Sequence, residues 1–508
     1  MSKRKGSSKE KQRPLAKKSK RSRLQLTDLP MDILHSIVSR LPIRQAARTS
    51  ILSNHWKHVW CSRRNLKFSF RSLVYKEGSR IPRSRICKYD FIQRVDAVLG
   101  QHSGAGVEKL EVNFFTLHNE HAEHIDRWVK FAIASKTKHL ILDFEAQCRG
   151  KEPYTFPFQL FDAATGSHLQ SMKLGAISLK PPASIKLFLN LKKLELVDVN
   201  ITDDELKLML CCCNVLEFIG ISRCKLLTRL HTSHPRNGIK HLQVSQCPLL
   251  QEIELHSGLI TLEYEGPLMP LALPSTLRNM SIEFSDISSA LAYVLTELPS
   301  TLRHLETLTL RSEELQRATL PNRPLNFLYI RHLRLELNFG FEADILDLAY
   351  LLQAAPNMEK LEIHMLMCTM LQRYRKCHGK LRSTPSHPHS HLKLVDITGF
   401  YGQKAQLELA LHILRNSVML KAMKIDPKPT IACIGSSIFV KDGRYFLDGY
   451  KVAKKHLRKA DHHNVVSVKK FRRRDVGNVD PHLINPYRIS TLAEDESWMS
   501  FLCALQVL

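Results

Sequence analysis

Two clusters of histidine and cysteine are the first residues whose types could do chemistry, because imidazole and thiolate side chains bind transition metals. The first cluster places His118, His121 and His124 three residues apart, which would set them on adjacent turns of a helix. It lacks the H-E-x-x-H order of zinc hydrolases, so a solvated polar helix is the better prediction. The second cluster comprises Cys368, Cys377, His378, His387, His389 and His391. Pro385 and Pro388 indicate an exposed loop there, and we predict no metal ligand in either cluster.

The cysteines and the catalytic motifs give no sign of an active site. Cys211 to Cys213 are consecutive, a spacing that forbids an ordinary framework of long-range disulfides, and packing as small apolar side chains explains them better. The sequence has no GxxxxGK[ST] phosphate loop, no GxSxG nucleophile elbow and no GxGxxG after a strand. We therefore predict no catalytic residue, no cofactor and no enzymatic activity.

The length and composition of the chain limit which structural elements can position a binding site. Its 508 residues carry 75 Lys and Arg against 48 Asp and Glu, a net charge of +27, and 44% are hydrophobic. Such a composition excludes wholesale disorder and, at about 150 residues per domain, suggests three domains or a short module with an elongated array. No apolar run approaches the roughly 18 residues of a membrane span. Without an apolar segment behind the basic N-terminus, we expect no secretory signal and reduced thiols in the cytosol or nucleus.

The positive charge is concentrated in an N-terminal tract, residues 2–23, which we expect to be solvated and mobile. Two clusters in it are spaced like a two-part nuclear import signal: Lys3, Arg4, Lys5, Lys17, Lys18, Lys20 and Arg21. A nonspecific nucleic-acid arm and a solubilising tail are the alternatives. A second basic cluster occupies residues 469–474. Neither cluster interleaves aromatic residues at a useful spacing, which argues against nucleic acid as a partner.

After Leu24 the pattern changes to three short amphipathic helices. Their apolar stripes are Ile33, Leu34, Ile37, Val38 and Leu41, then Ile43, Ala46, Ala47, Ser50 and Ile51, then Trp56, Val59 and Trp60. Three helices in so few residues bury little apolar surface, so the unit should lean on a partner or on the rest of the chain. The two tryptophans are predicted to be packing residues.

From residue 107 onward a six-residue phrase recurs, with apolar residues at its first, fourth and sixth positions. Fourth-position residues Leu194, Ile219 and Leu242 are 25 and 23 residues apart, and Met280, Leu308, Leu333 and Leu361 are 28, 25 and 28 apart. These intervals predict leucine-rich repeats, whose variable positions would form one curved surface for a protein partner. Half-length intervals through Leu230 and Ile253 predict compressed or irregular rungs. Candidate surface positions are Lys192, Lys193, Glu195, Lys240, His241, Gln243, Arg331, His332, Arg334, Glu359, Lys360 and Glu362.

Several stretches resemble known plant sequences. Leu29-Pro30-Met-Asp-Ile33-Leu34, Ser39-Arg-Leu41-Pro42 and Leu52-Ser-Asn-His-Trp56-Lys-His-Val-Trp60 resemble the F-box of plant F-box proteins. Residues 91–128 resemble the linker of plant F-box/leucine-rich-repeat proteins, and residues 399–427 resemble their closing FBD-like segment. The F-box resemblance implies docking to a Skp1-like adaptor. It places six residues at or beneath the adaptor contact: Leu29, Pro30, Ile33, Leu34, Ile37 and Leu41.

Together these observations predict an α/β chain in which an N-terminal three-helix F-box precedes a curved leucine-rich-repeat solenoid. The predicted segments are a disordered basic tail at 1–23, an F-box module at 24–70, a helical linker at 71–106, a solenoid at 107–398, an FBD-like segment at 399–460 and a tail of uncertain order at 461–508.

The resemblance implies a non-catalytic substrate-recognition subunit of a Skp1–cullin–F-box E3 ubiquitin ligase. It would bind the Skp1-like adaptor, through it a cullin, and on the repeats a target protein whose contact residues the sequence does not reveal. No membrane partner is expected. The charge motivates a rival hypothesis, a nuclear nucleic-acid-associated scaffold without ligase function. The nucleus is the expected location, and the cytoplasm stays open as a second one.

Overall fold

The computed structural model of the chain describes residues 29–51, 54–73, 88–104, 106–115, 117–144, 151–182, 187–211, 213–232, 238–255, 258–269, 271–272, 274–284, 293–315, 326–339, 345–367, 373–382, 387–430 and 444–472. Its helices, numbered along the chain, are α1 (Met31–Arg40), α2 (Ile43–Arg48), α3 (Asn54–Cys61), α4 (Phe70–Leu73), α5 (Lys88–Gln101), α6 (Ala122–Ala134), α7 (Ala163–Gly166), α8 (Asp203–Cys211), α9 (Leu298–Thr301), α10 (Leu348–Gln353), α11 (Lys404–Asn416) and α12 (Arg444–Ala460). In these described ranges no helix combines the length and the apolar composition that crossing a bilayer requires.

One parallel sheet runs through the described chain, and its strands lie side by side in the order in which they occur in the sequence. The strands, numbered along the chain, are β1 (Asn65–Ser69), β2 (Lys109–Asn113), β3 (His139–Asp143), β5 (Ser171–Gly175), β7 (Lys193–Val197), β8 (Phe218–Ser222), β10 (His241–Ser245), β12 (Thr261–Gly266), β14 (Asn279–Phe284), β15 (Thr307–Leu315), β16 (His332–Phe339), β17 (Lys360–Met367), β18 (Leu394–Thr398), β19 (Ala422–Asp426) and β20 (Val466–Val468). A parallel sheet whose strands follow one another along the chain is the architecture of an α/β solenoid.

The register of this sheet is the one that the repeated phrase predicts. Leu308, Leu333 and Leu361 pair directly across β15, β16 and β17, and all three are fully buried. Because side chains alternate between the two faces of a strand, one face packs in the interior while the other carries the variable positions. The helices α5, α6 and α11 lie behind the sheet and bury their apolar stripes against it.

The half-length phrases had predicted compressed or irregular rungs, and the structure shows irregular ones. They form a second parallel sheet of β9 (Arg229–Thr232), β11 (Glu252–Leu255) and β13 (Leu271–Ala272), in which Leu230 pairs with Ile253. A third, short sheet joins β4 (Tyr154–Thr155) to β6 (Ile177–Ser178). Rungs in these regions therefore carry a second strand in the segment that returns to the main sheet.

The sheet extends beyond the range predicted for the solenoid at both ends. β1 lies within the segment predicted as the F-box module, and it pairs with β2. β20 lies within the segment predicted as a tail of uncertain order, and it pairs with β19. The segments predicted as the F-box module, the solenoid, the closing segment and the C-terminal tail thus all contribute strands to one continuous sheet, while the predicted domain boundaries stay predictions.

A ladder of backbone hydrogen bonds follows one edge of the sheet. From β2 to β19, the residue immediately before each strand of the main sheet donates its N–H to the carbonyl of its counterpart on the preceding rung, as Glu359 does to Arg331 and Lys393 does to Glu359. The side chains at these positions, here called the rim, are mostly charged, and basic and acidic residues alternate from Arg278 to Lys393. Arg331 and Lys393 both contact Glu359, at 2.7 Å. Exposed ion pairs contribute little stability, so the backbone bonds fix the rung spacing while the charges are left paired.

Candidate partner-binding surfaces

The first candidate surface is the outward face of α1. The inward residues Leu34 and Val38 pack with Trp56, Val59 and Trp60 in a small core. The opposite side leaves three large apolar side chains in solvent, and Asp32, Ser36 and Arg40 lie beside them. Met31, Ile33 and Ile37 are 41%, 44% and 38% exposed. Because an exposed contiguous apolar patch marks a binding site on a soluble protein, this face is built to be covered.

The six residues predicted at the adaptor contact separate into three groups. Ile33, Ile37 and Pro30 are exposed, whereas Leu29 and Leu41 are half-buried against the small core. Leu34 is fully buried and supports the surface from beneath. The two tryptophans are buried as expected.

The second predicted stripe does not run the length of one helix. The helix α2 ends at Arg48, and residues Thr49–Ile51 form a 3₁₀ turn that leaves Ile51 85% exposed. Ile51 is therefore a surface residue and not part of the helix contact that its spacing suggested.

Polar contacts hold the helical module against the solenoid. Arg63 donates from its guanidinium to the carbonyls of Ser39 and Leu41, at 2.7 and 2.8 Å, and so binds the end of α1. Burial lowers the pKa of Arg63. Ser103 donates to the carbonyl of Cys61 at 3.0 Å, and Ile43 lies in the core of the solenoid. These contacts fix the position of α1, and with it the exposed face, relative to the solenoid.

The second candidate surface is the solvent-facing side of the main sheet. All twelve positions predicted as variable are half-buried or exposed, either on this face or at the rim. Near its N-terminal end, Lys67 and Lys109 contact Glu111 at 2.6 and 2.9 Å. Burial acts to raise the pKa of Glu111, but these two lysines outweigh it and hold the pKa below its usual value.

Toward the C-terminal end the same face carries a connected charge network. Arg311 and Arg334 donate to the two oxygens of Glu336, at 2.9 and 2.7 Å. Arg334 also donates to Glu362 at 3.1 Å, and Lys360 pairs with the same carboxylate. Burial opposes the ionisation of Glu362, yet Lys360 and the neighbouring cations lower its pKa to about 2. The face is polar, pre-organised and internally neutralised, which suits recognition of a mixed protein surface.

The structure does not gather the histidines of the first predicted cluster into a metal site. His124 pairs with Asp96 at 2.7 Å, whereas His121 accepts a hydrogen bond from the backbone N–H of His118. Burial lowers the pKa of His118 and of His121. These side chains serve the packing of the 3₁₀ turn at Asn119–His121 and of the helix that follows.

The second predicted cluster is also dispersed within the described residues. Cys377 is exposed, and Cys368 lies outside the described residues. His389 is buried against the ring of His412, and burial, followed by the charges of His412 and His387, lowers its pKa to about 4. Of the three consecutive cysteines, Cys213 is fully buried and donates to the carbonyl of Met209.

One group of possible metal ligands escaped the sequence reasoning. His231 on β9 faces Glu252 and Glu254 on β11, and the ligand atoms lie within 4.8 Å of one another. The three side chains are half-exposed, and Arg229 lies 3.8 Å from Glu252, so an ion-pair cluster accounts for them. Only the pairing of β9 with β11 brings them together, and the sequence offered no signal for that second sheet.

The predicted nuclear import residues, Lys3 to Arg21, lie outside the described residues.

In a comparison with known protein families, each of the two candidate surfaces lies within a segment that matches a known domain. The F-box domain matches residues 26–68. The domain described as "At1g61320/AtMIF1, LRR domain" matches residues 98–473, which is more than half of the chain. The first match contains the exposed face of α1, and the second contains nearly all of the sheet.

The similar full-length proteins come from Arabidopsis thaliana. The F-box/FBD/LRR-repeat protein At5g56420 is 24% identical over 429 residues, which cover 82% of this chain and 94% of that protein. The putative F-box/LRR-repeat protein At5g02930 is 23% identical over 363 residues, covering 67% and 72%. The F-box/FBD/LRR-repeat protein At1g13570 is 27% identical over 199 residues, covering 39% and 44%.

Proposed function

The chain belongs to the plant F-box/leucine-rich-repeat family, and from this we propose that it is the substrate-recognition subunit of a Skp1–cullin–F-box E3 ubiquitin ligase. F-box domains as a class bind Skp1-like proteins. The observation that carries the proposal here is the exposed apolar face of α1, with Ile33 and Ile37 in solvent above a packed core. The adaptor would cover this face and connect the chain to a cullin.

The charged face of the sheet would bind the target protein. Since Ile43 and Ser103 fix the helical module to the solenoid, a bound target would be held at a set distance from the adaptor. A ubiquitin-loaded enzyme on the same scaffold would then meet target lysines at high effective concentration. In this mechanism the chain positions its partners and makes or breaks no bond itself.

The proposal is tested by capture of a purified Skp1-like adaptor on the immobilised full chain. The variant Ile33→Glu/Ile37→Glu places two charges on the exposed face while leaving the buried Leu34 in place. We expect adaptor affinity to fall at least about 100-fold, because charges desolvated at the centre of an interface are costly.

A matched control is Leu328→Glu/Val418→Glu, which adds the same charges at two apolar side chains of the solenoid that are 58% and 76% exposed. It should bind the adaptor like the unmodified chain. Equal circular dichroism and melting temperature would show that all three proteins are folded. Absence of adaptor binding by the unmodified chain, or equal loss in both variants, would contradict the proposal.

We further propose a nuclear location, with Lys3, Arg4, Lys5, Lys17, Lys18, Lys20 and Arg21 as the import signal. The two-cluster spacing supports it. Fluorescence microscopy of a tagged chain with these seven residues changed to Gln tests it, and unchanged nuclear accumulation would reject it.

A further inference from the structure

The structure brings two basic segments together at the C-terminal end of the solenoid. One is the loop at residues 373–382, and the other is α12. Arg373 pairs with Asp448 at 2.7 Å, and the rings of Tyr374 and His456 are 5.5 Å apart. Around these two contacts lie seven exposed cations, here called the basic end surface: Arg375, Lys376, Lys380, Lys454, Lys455, Arg458 and Lys459.

Within the described residues, the cations of the basic end surface have no carboxylate within 4 Å, unlike those of the rim. The acids of the region are already engaged, and Glu408 binds Arg382 of the same loop at 2.8 Å. Asp448 contacts Arg373 and Lys451, and Asp461 accepts hydrogen bonds from the backbone N–H groups of residues 463, 465 and 466. The positive charge is therefore uncompensated. Consistent with this, burial and then the charges of Lys455, Lys376 and Lys459 lower the pKa of His456.

The arrangement discriminates between three kinds of anionic partner. A membrane surface would need the apolar side of α12, but Phe446, Val452 and Leu457 are buried against the solenoid. The residues that contribute most to protein–protein binding are commonly aromatic or other large anchors, and no large apolar side chain in the described parts of either segment is exposed. Nucleic acid needs neither, since its interfaces are polar and strongly positive.

We propose that the basic end surface binds the phosphate backbone of nucleic acid without reading its sequence. Lys454, Lys455, Arg458 and Lys459 follow one another at i, i+1, i+4 and i+5, so they line one side of two successive helical turns, which rise about 5.4 Å each. The loop cations widen this line into a patch. The two tyrosines of these segments, Tyr374 and Tyr450, are half-buried, and contact with the phosphate backbone requires no base stacking.

The test measures binding of the full-length chain to a fluorescent 20-base-pair duplex by anisotropy, between 50 and 200 mM salt. The variant Lys454→Gln/Lys455→Gln/Arg458→Gln/Lys459→Gln removes four unpaired charges. We expect at least a tenfold loss of affinity at 100 mM salt and a salt slope that is smaller by about 3 to 4, since each phosphate contact contributes about 0.9.

The control Lys240→Gln/Arg278→Gln/Arg331→Gln/Lys393→Gln removes the same charge from rim residues that are paired with carboxylates. It should lose less than about threefold and keep its salt slope. Equal losses in the two variants would overturn the proposal, because binding would then follow net charge or the basic N-terminal tract. Equally tight and equally variant-sensitive binding of a polyglutamate peptide would also overturn it in favour of an acidic protein partner. Circular dichroism verifies that both variants are folded.

Discussion

At the scale of single residues, Glu362 shows how the charged face of the main sheet is held in place. Its side chain is 13% exposed and lies among Lys360, Arg334, His332 and His364. A carboxylate at this depth is stable only because those neighbours keep it ionised, with a pKa of about 2. The network therefore fixes side chains of three adjacent strands, β16 to β18, through one charge and the hydrogen bond between His364 and Thr398.

Replacing this carboxylate tests that role. The change Glu362→Gln should lower the free energy of unfolding at pH 7 by about 1–2 kcal/mol, because it leaves partly buried cations without their partner. Because the pKa of Glu362 is lower in the folded than in the unfolded state, its ionised carboxylate stabilises the protein at pH values above the unfolded-state pKa, near 4.5. That contribution is lost as the pH falls toward the folded-state pKa of about 2. Urea unfolding between pH 7 and pH 3.5 should therefore show the difference between variant and parent shrinking below pH 4.5.

The rim residue Glu359 gives the comparison, because its side chain is 33% exposed and Glu359→Gln removes a carboxylate that also contacts two cations. Its effect should be smaller and should fade with added salt. A pH-independent difference for Glu362→Gln would contradict the electrostatic explanation.

The face of α1 shows where the sequence could not decide between core and surface. Ile33 and Ile37 form one apolar stripe, and Leu34 and Val38 form the stripe beside it. Helical periodicity identifies both stripes but cannot tell which one faces the core. The packing of Trp56 and Trp60 against Leu34 and Val38 determines that. A module with two apolar stripes and one internal core keeps the other stripe for a partner.

At the scale of elements, α12 is seated by a glycine. A Cβ atom added to Gly449 would lie 1.9 Å from the carbonyl oxygen of Phe400. Gly399, which precedes Phe400, has a φ of +69°, and a Cβ atom added there would lie 1.9 Å from the carbonyl oxygen of Met365. Gly449 lets the backbone of α12 approach that of Phe400, and Gly399 lets its own segment approach the end of β17. The helix α12 seated in this way carries four of the seven cations of the basic end surface.

The change Gly449→Ala should therefore push α12 away from the sheet. We expect a loss of about 2–4 kcal/mol in the free energy of unfolding, because the clash is with backbone that cannot rotate aside. Gly100→Ala is the matched control, since Gly100 also lies in a helix, α5, and a Cβ there meets nothing within 4 Å. That control should be neutral or stabilising by up to about 1 kcal/mol. Thermal melts of the two variants measure both effects, and equal melting temperatures would refute the seating role.

The strands show how far the repeated phrase could predict the fold. The register of the inner strands follows from buried residues at a fixed position, as Leu308, Leu333 and Leu361 confirm. The terminal strands β1 and β20 were missed because the first apolar position of the phrase holds Arg63 and His463. A terminal strand has one neighbour instead of two, so its rung can place polar groups where inner rungs need apolar ones.

At the scale of the whole molecule, the described chain has one contiguous solenoid core, which extends from Ile43 in the helical module to Val466 in the last strand. Each strand of the main sheet nevertheless pairs only with the strands of the rungs directly before and after its own. Stability in such an array is a sum of local interfaces, so damage at its centre should not be felt equally at both ends. The arrangement predicts that the module at the N-terminal end and the central rungs can unfold separately.

Leu333→Ala tests this directly, because Leu333 is fully buried between Leu308 and Leu361. The cavity should cost about 2–5 kcal/mol locally. The tryptophans supply a regional probe, since Trp56, Trp60 and Trp128 lie in the N-terminal part and Trp498 can be removed as Trp498→Phe. In that background, far-ultraviolet circular dichroism should show an early transition from the central rungs while tryptophan fluorescence keeps a midpoint close to that of the parent. Coincident transitions by both probes would contradict separate unfolding, because damage at β16, the eleventh of the fifteen strands in sheet order, would then be transmitted to the helical module beside β1.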